Sequence, residues 1–229
     1  MISIIIPVLN EAKIIEELLY YLVDCANLQN ISEIIVVDGG STDDTVKIIK
    51  KLDLKIKLLK SDKGRAKQMN LGAKHATGAI LYFLHADSYP PLKYDELIIN
   101  SVKKGNNAGC FRMQFNSNHW WLKLASWLTQ FSWRACRGGD QSQFITRALF
   151  EDIGGYDENY IIYEDNILIN ELYARKEFAV IQHKIKTSAR LYKKHGIWKL
   201  QYHFWTIYVK KWLGASPNTL YAYYKRYIS

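Results

Sequence analysis

The run E-I-I-V-V-D-G-G-S-T-D-D, Glu33 to Asp44, reads as a buried strand that runs directly into an acidic, glycine-bearing turn. Four successive β-branched aliphatics, Ile34 to Val37, suit a strand covered on both faces, as strands of a parallel sheet are. Gly39 and Gly40 let the backbone approach a ligand closely. Ser41, with Asp43 and Asp44 behind it and then Val46, Ile48 and Ile49, predicts an N-cap and an acidic first turn for a helix. Strand, polar turn and helix together are the unit of an open α/β sheet, which binds ligands beyond the carboxyl ends of its strands.

Working outward, Ile2 to Ile6, Ile56 to Leu59 and Ala79 to Leu84 have the length and composition of further buried strands. Between them, Ile14, Leu18 and Leu22 with Ile15 and Leu19, and then Ala66 to Ala76, carry helical spacing. The fold class is therefore α/β, with an open, mostly parallel sheet flanked by helices. After Pro90-Pro91 the spacing predicts a helix over Leu92 to Val102 and a strand over Ala108 to Phe115. It also predicts a helix over Trp120 to Trp133 with a stripe of Trp120, Leu124, Trp127 or Leu128, and Phe131. No linker or repeat interrupts the chain, so residues 1–229 are expected to form a single domain. Within it, 190–229 reads as a basic aromatic helical tail.

A chain of 229 residues with 48% hydrophobic and 23% charged residues can bury a core and is neither a disordered tail nor a fibre. Met1 to Leu9 lacks the basic lead and cleavage site of an export signal, and no apolar stretch reaches the length of a membrane span. Cys25, Cys110 and Cys136 match no disulfide or metal pattern, which predicts a cytoplasmic protein. The net charge of +9 is uneven: Phe178 to Ser229 holds ten Lys or Arg and no Asp or Glu, which leaves the rest of the chain at −1. The same segment holds twelve aromatic residues, so anionic lipid, nucleic acid and phosphorylated molecules are all admissible partners by charge. Trp198, Tyr202, Trp205, Tyr208 and Trp212 recur at helical spacing, as a buried stripe would. Interleaved with Lys193, Lys194, Lys199, Lys210 and Lys211, they would equally suit peripheral contact with an anionic membrane at its inner face.

Chemistry-bearing residues follow three of the strands: Asn10-Glu11, Asp38-Gly39-Gly40-Ser41 and His85-Ala86-Asp87. No G-x-G-x-x-G follows the first strand, and the phosphate loop of P-loop NTPases, the G-x-S-x-G elbow and the zinc deaminase signature do not occur.

Those residues belong to longer motifs: I-I-P-V-L-N-E at 5–11, V-D-G-G-S-T-D-D-T at 37–45, G-R-A-K-Q-M-N-L-G-A at 64–73 and F-L-H-A-D-S-Y-P at 83–90. In this order they resemble the family 2 glycosyltransferases, whose GT-A fold is that of the nucleotide-diphospho-sugar transferases. H-A-D, G-G-D-Q-S-Q-F at 138–144, G-G-Y-D-E at 154–158, E-D-N at 164–166, T-S-A-R at 187–190 and L-G-A-S-P at 213–217 more narrowly resemble a small bacterial branch found beside radical-SAM and selenium-related genes.

The resemblance implies an inverting, metal-dependent hexosyltransferase that takes a UDP-sugar or GDP-sugar donor and an unidentified small-molecule or lipid-linked acceptor, with no nucleic-acid partner. It implies a nucleotide-binding half at 1–91 and an acceptor and catalytic half at 92–189, that Pro7, Asn10, Glu11 and Asp38 surround the nucleoside, and that Arg65 lies near the base or diphosphate. The usual acidic pair of the metal motif reads His85-Ala86-Asp87 here, so Asp87 is the implied ligand of a divalent cation, Mg²⁺ or Mn²⁺, with His85 beside it. Asp165 is the implied base and Glu164 its support, with Trp120, Asp140, Gln141 and Arg190 on the acceptor side. Plainer readings stay open. Asp38 and Ser41 also make a turn and cap, Arg65 an exposed helix charge, His85 a packed strand end, Glu164 and Asp165 a helix start, and the tryptophans core. A nucleotide-sugar-binding protein without activity, and a nucleotidyltransferase, are the competing functions.

Overall fold

The computed structural model describes residues 1–228. Its centre is an eight-stranded sheet built from β1 (Ile2–Val8), β2 (Ile31–Asp38), β3 (Ile56–Lys60), β4 (Ile80–Phe83), β5 (Ser88–Tyr89), β6 (Ala108–Phe115), β7 (Gln143–Thr146) and β8 (Phe178–Thr187). The order across the sheet is β3-β2-β1-β4-β7-β6-β8-β5. The first four strands of that order are parallel, β7 runs antiparallel to β4 and β6, β8 is parallel to β6, and β5 closes the edge antiparallel to β8. Strands from 1–91 and from 92–189 thus hydrogen-bond into one sheet, as β4 and β7 do from Ile80↔Thr146 to Phe83↔Gln143.

All seven residues of β1 are buried, because helices cover both faces of the sheet. On one face lie α1 (Ile15–Asp24), α2 (Thr45–Lys51) and α4 (Tyr94–Lys103), with Leu18, Leu22, Ile49 and Ile98 packed on Ile4, Ile6 and Val36. On the other, α3 (Arg65–His75) and α7 (Glu164–Ala174) bring Met69, Leu168 and Leu172 against Ile5, Ile35 and Leu81. Gly72 is where α3 meets the sheet most closely, since a Cβ there would stand 2.4 Å from Cγ2 of Ile5. The short α6 (Arg147–Ile153) follows β7 and buries Phe150.

Three local expectations are corrected. Ser41 does not cap the second helix: α2 begins at Thr45, whose N–H donates to Asp43 Oδ1 at 3.0 Å. Ser41 Oγ instead accepts from the Asn10 N–H at 2.9 Å, which ties the β1 loop to the β2 loop. The helix expected to reach Trp133 stops at Leu128 as α5 (Trp120–Leu128), because the Thr129 and Phe131 carbonyls both accept from the Arg137 guanidinium at 2.6 Å.

The third correction concerns the aromatic stripes. In α9 (Ile197–Trp212) the buried side is Leu200, His203 and Ile207, packed with Leu220 of α10 (Pro217–Tyr227) and with Tyr160 and Ile162. The stripe of Trp198, Tyr202, Trp205, Tyr208 and Trp212 faces outward, and Trp212 is 84% exposed. Likewise α5 buries Leu122 and turns Trp120, Leu124 and Trp127 outward. Both helices carry apolar residues on two sides, so spacing alone does not select the inner one. The short α8 (Arg190–His195) links β8 to α9.

Candidate active site

The carboxyl ends of β2, β1 and β4 lie side by side along the sheet, and each loop there is held by side chains close to it. Asp38 accepts the N–H of Gly40 at 3.1 Å and that of Ser41 at 3.1 Å, which folds the turn around a buried carboxylate. Asn10 Oδ1 accepts the Thr42 N–H at 2.8 Å, and the Glu11 N–H donates to Thr45 Oγ1 at 2.9 Å. Asn10 thereby braces the second loop. Pro7 lies within β1, paired with Val37. Gln68 was not singled out from the sequence. Buried in α3, its Nε2 donates to the Val8 carbonyl at 2.9 Å and the Val37 carbonyl at 2.7 Å, clamping both strand ends. A Cβ on Gly39 would meet the Gln68 carboxamide at 2.9 Å, so a larger residue there would have to displace this clamp.

The charged centre is assembled from α3, α7 and the β4 end. Arg65, the first residue of α3, places Nε 2.6 Å from Glu164 Oε1 and is therefore not a free surface charge. Burial opposes its charge, but Glu164, Asp165 and Asp140 outweigh that and raise its pKa. Glu164 is fully buried, and burial lifts its carboxyl to about 7, with Arg65 opposing and Asp165 adding to the rise. Asp165 Oδ2 stands 3.9 Å from His85 Nε2, and Asp140 Oδ1 stands 3.9 Å from His85 Nδ1. His85 is thus set between two carboxylates at the end of β4.

Asn70 of α3 positions the approach to α7, accepting the Tyr156 N–H at 2.9 Å and donating to the Tyr156 carbonyl at 2.9 Å. Tyr156 is the second residue the sequence did not single out. Its buried hydroxyl has no hydrogen-bond partner among the described residues, and burial followed by the charges of Asp165 and Glu164 pushes its pKa well up. The carboxamide of Gln143, buried in β7 beside Phe83, is unpartnered at both atoms in the same way. Buried polar groups without partners are uncommon in folded proteins; Tyr156 lies near Asp165 and Glu164, and Gln143 beside the end of β4.

The acceptor-side expectations divide. Asp140 faces His85, but Gln141 is committed internally, accepting from Arg137 Nη1 at 2.6 Å and donating to the Cys136 carbonyl at 2.6 Å. Trp120 is 59% exposed, and its ring neighbours are His119, Trp121 and Trp198. Arg190 lies across the strand ends, donating to Glu11 Oε2 at 2.7 Å and Oε1 at 2.5 Å, with its Nε 3.3 Å from Asp87 Oδ2. This bidentate geometry raises its pKa and places it with the residues expected on the donor side.

No three His, Cys, Asp or Glu side chains among the described residues come together as a metal cluster. The donor set nevertheless fits a hard cation of the kind expected. Asp87 offers a carboxylate at a strand end, and Mg²⁺ commonly takes one or two protein carboxylates with the phosphates of its substrate completing the shell.

The profile described as glycosyl transferase family 2 matches residues 3–168. The chain belongs to that family. Glycosyltransferase AglE of Haloferax volcanii is 31% identical over 106 residues, covering 44% of this chain and 35% of its own. Among solved structures, residues 1–349 of Staphylococcus aureus TarS in complex with UDP superpose with a TM-score of 0.67 at 19% identity, over 82% of this chain and 60% of that one. The mannosyltransferase PcManGT of Pyrobaculum calidifontis, in complex with GDP-Man and Mn²⁺, gives 0.65 at 22% identity, over 90% and 59%. The fold is thus the GT-A fold anticipated from the motifs, and the chain spans only about a third to three fifths of these relatives.

Proposed function

We propose that this protein transfers a hexose from a UDP-sugar or GDP-sugar to an acceptor hydroxyl, with inversion at the anomeric carbon. The observation that carries this reading is Asp165 at the start of α7, 3.9 Å from His85, whose loop also bears Asp87 with Arg190 3.3 Å from it. Asp165 accepts the proton of the acceptor hydroxyl as that oxygen bonds to the anomeric carbon and the bond to the diphosphate breaks. Its carboxylate lies in the first turn of α7. The Arg190 guanidinium, on Glu11 and 3.3 Å from Asp87, has the bidentate shape that a departing diphosphate requires. Asp87 would hold a divalent cation, which would supply positive charge against the same leaving group. Glu164 holds Arg65 in place, and His85 spaces Asp140 from Asp165.

The solved relatives hold UDP in one case and GDP-mannose with Mn²⁺ in the other, which supports a nucleotide-sugar donor and a divalent cation and leaves the base open. The motifs from His85 to Pro217 support placement in the branch beside radical-SAM and selenium-related genes. The outward aromatic face supports a position at an anionic membrane surface. No helix among the described residues is long and apolar enough to cross a membrane. Trp120, Trp121, Trp198 and Trp205 adjoin with ring centroids 5.3 to 6.0 Å apart, and exposed Lys193, Lys194 and Lys199 border them. Tryptophan rings and lysines in that arrangement suit the headgroup layer.

The test is release of nucleoside diphosphate from a panel of UDP- and GDP-sugars with Mg²⁺ or Mn²⁺, with a cell extract as acceptor source. Asp165→Asn keeps size and hydrogen bonding but loses the base, so turnover falls by about a hundredfold or more while donor affinity stays within a few fold. Normal acceptor-dependent turnover in the folded variant removes Asp165 from the mechanism. Pyrophosphate release from a nucleoside triphosphate would replace glycosyl transfer with nucleotidyl transfer.

A further inference from the structure

Strands β6 and β8 set cations side by side: Arg112 is the register partner of Lys184, and Gln114 that of Lys186. Like charges directly opposite one another weaken a sheet unless something between them is negative. Among the described residues, no carboxylate lies within ion-pairing distance of Arg112, Lys184, Lys186 or Lys123. Arg112 Nε is buried and has no hydrogen-bond partner among them either. A buried donor of that kind is costly until an acceptor reaches it.

All four cations line a single cleft of about 960 Å³, which also reaches Asp87 and Arg190. Its acidic lining residues are Glu17 and Asp87, and Arg190 already answers the latter at 3.3 Å. The remaining positive charge lies on the β6 and β8 strands and on Lys123 of α5. The cleft is the size of a small-molecule pocket, larger than an inorganic ion alone requires.

We infer that this cleft is an acceptor subsite for a phosphate-bearing molecule, whose phosphate docks on Arg112, Lys184 and Lys186 and whose hydroxyl end extends past Asp87 toward Asp165. A phosphate offers three oxygens and close to two negative charges, a match for a cluster of three cations that a neutral sugar cannot provide. The assignment of the bound molecule as acceptor rests on the glycosyl-transfer reading. The binding of phosphate stands on the cleft itself.

Calorimetry on the full chain separates the two. Glycerol 3-phosphate and octyl phosphate serve as soluble and lipid-like probes, with glycerol and octyl glucoside as their neutral counterparts. The phosphates bind and the neutral molecules do not, and the stronger of the two phosphates identifies a free or a lipid-borne source. Lys184→Gln with Lys186→Gln, both exposed and safe for folding, weakens phosphate binding by about tenfold or more and leaves UDP and GDP affinity in place. Arg112→Gln weakens it likewise, with the melting temperature monitored. The inference is overturned if neutral and phosphate probes bind alike, if millimolar phosphate probe gives no heat, or if the lysine variant loses UDP and GDP in parallel. If the phosphates bind but no UDP- or GDP-sugar is turned over, glycosyl transfer fails and the anion cleft remains.

Discussion

Replacing Glu164 by Gln keeps the shape of a fully buried side chain and removes its titration. The wild-type carboxyl titrates at about 7 in the fold against 4.5 when free, because burial penalises its charge more than Arg65 favours it. A carboxyl whose pKa is raised by folding contributes stability that is complete below its unfolded pKa and lost as the pH climbs through its folded one. Wild type therefore loses about 3 kcal/mol relative to Glu164→Gln between pH 4.5 and the region above pH 7, at 1.36 kcal/mol per pKa unit. Urea unfolding at pH 5, 6, 7 and 8 reads this directly. With a slope of about 2 to 3 kcal/mol/M, the variant's midpoint gains about 1 M on wild type across the series, most of it between pH 5 and 7. A midpoint difference that stays constant from pH 5 to 8 at equal slopes would show that Glu164 is ionised throughout and that the Arg65 pair, not burial, sets its charge.

Asp87→Ala abolishes the enhancement of donor binding by Mg²⁺ or Mn²⁺ in calorimetry, and metal-dependent binding equal to wild type rules out the cation site at that residue. Asp38→Ala lowers nucleotide affinity even with metal saturating, because the turn it holds through Gly40 and Ser41 loosens. Wild type co-sediments with anionic but not neutral vesicles at low salt, and Lys193→Gln, Lys194→Gln and Lys199→Gln combined with Trp198→Ala reverse it; indifference to anionic vesicles ends the membrane reading. Gly72→Ala drives a methyl into Ile5 at 2.4 Å, so stability falls by about 1 to 2 kcal/mol after the gain in helix propensity, and an unchanged urea midpoint contradicts that packing.

The alternation of buried strands and amphipathic helices from Ile2 to Leu84 was sufficient to read an open α/β sheet, because strands covered on both faces must be apolar throughout. The strand ends bearing Asn10, Asp38 and Asp87 were legible for the same reason, since in such a sheet they converge by construction. The residues that organise those ends were harder to see. Gln68 sits mid-helix and resembles any surface glutamine until the two carbonyls it bridges are placed beside it. Tyr156 and Gln143 gain meaning only from their burial without partners. Gln141 and Arg190 illustrate the converse: one was turned inward by Arg137, the other drawn 179 residues along the chain to Glu11.

What the sequence by itself determined is thus the alternation of elements, the polar loops at their ends and the sign of the charge carried by the final fifty or so residues. Tertiary structure decided which side of α5 and α9 is core, which carboxylate is paired with which guanidinium, and that Arg112 and Lys184 stand side by side on neighbouring strands of one cleft. The physical reason is the range of the forces involved. Local periodicity reports the burial of a face, whereas the choice between two apolar faces, and the pKa of Glu164, depend on neighbours that only folding brings within a few ångströms.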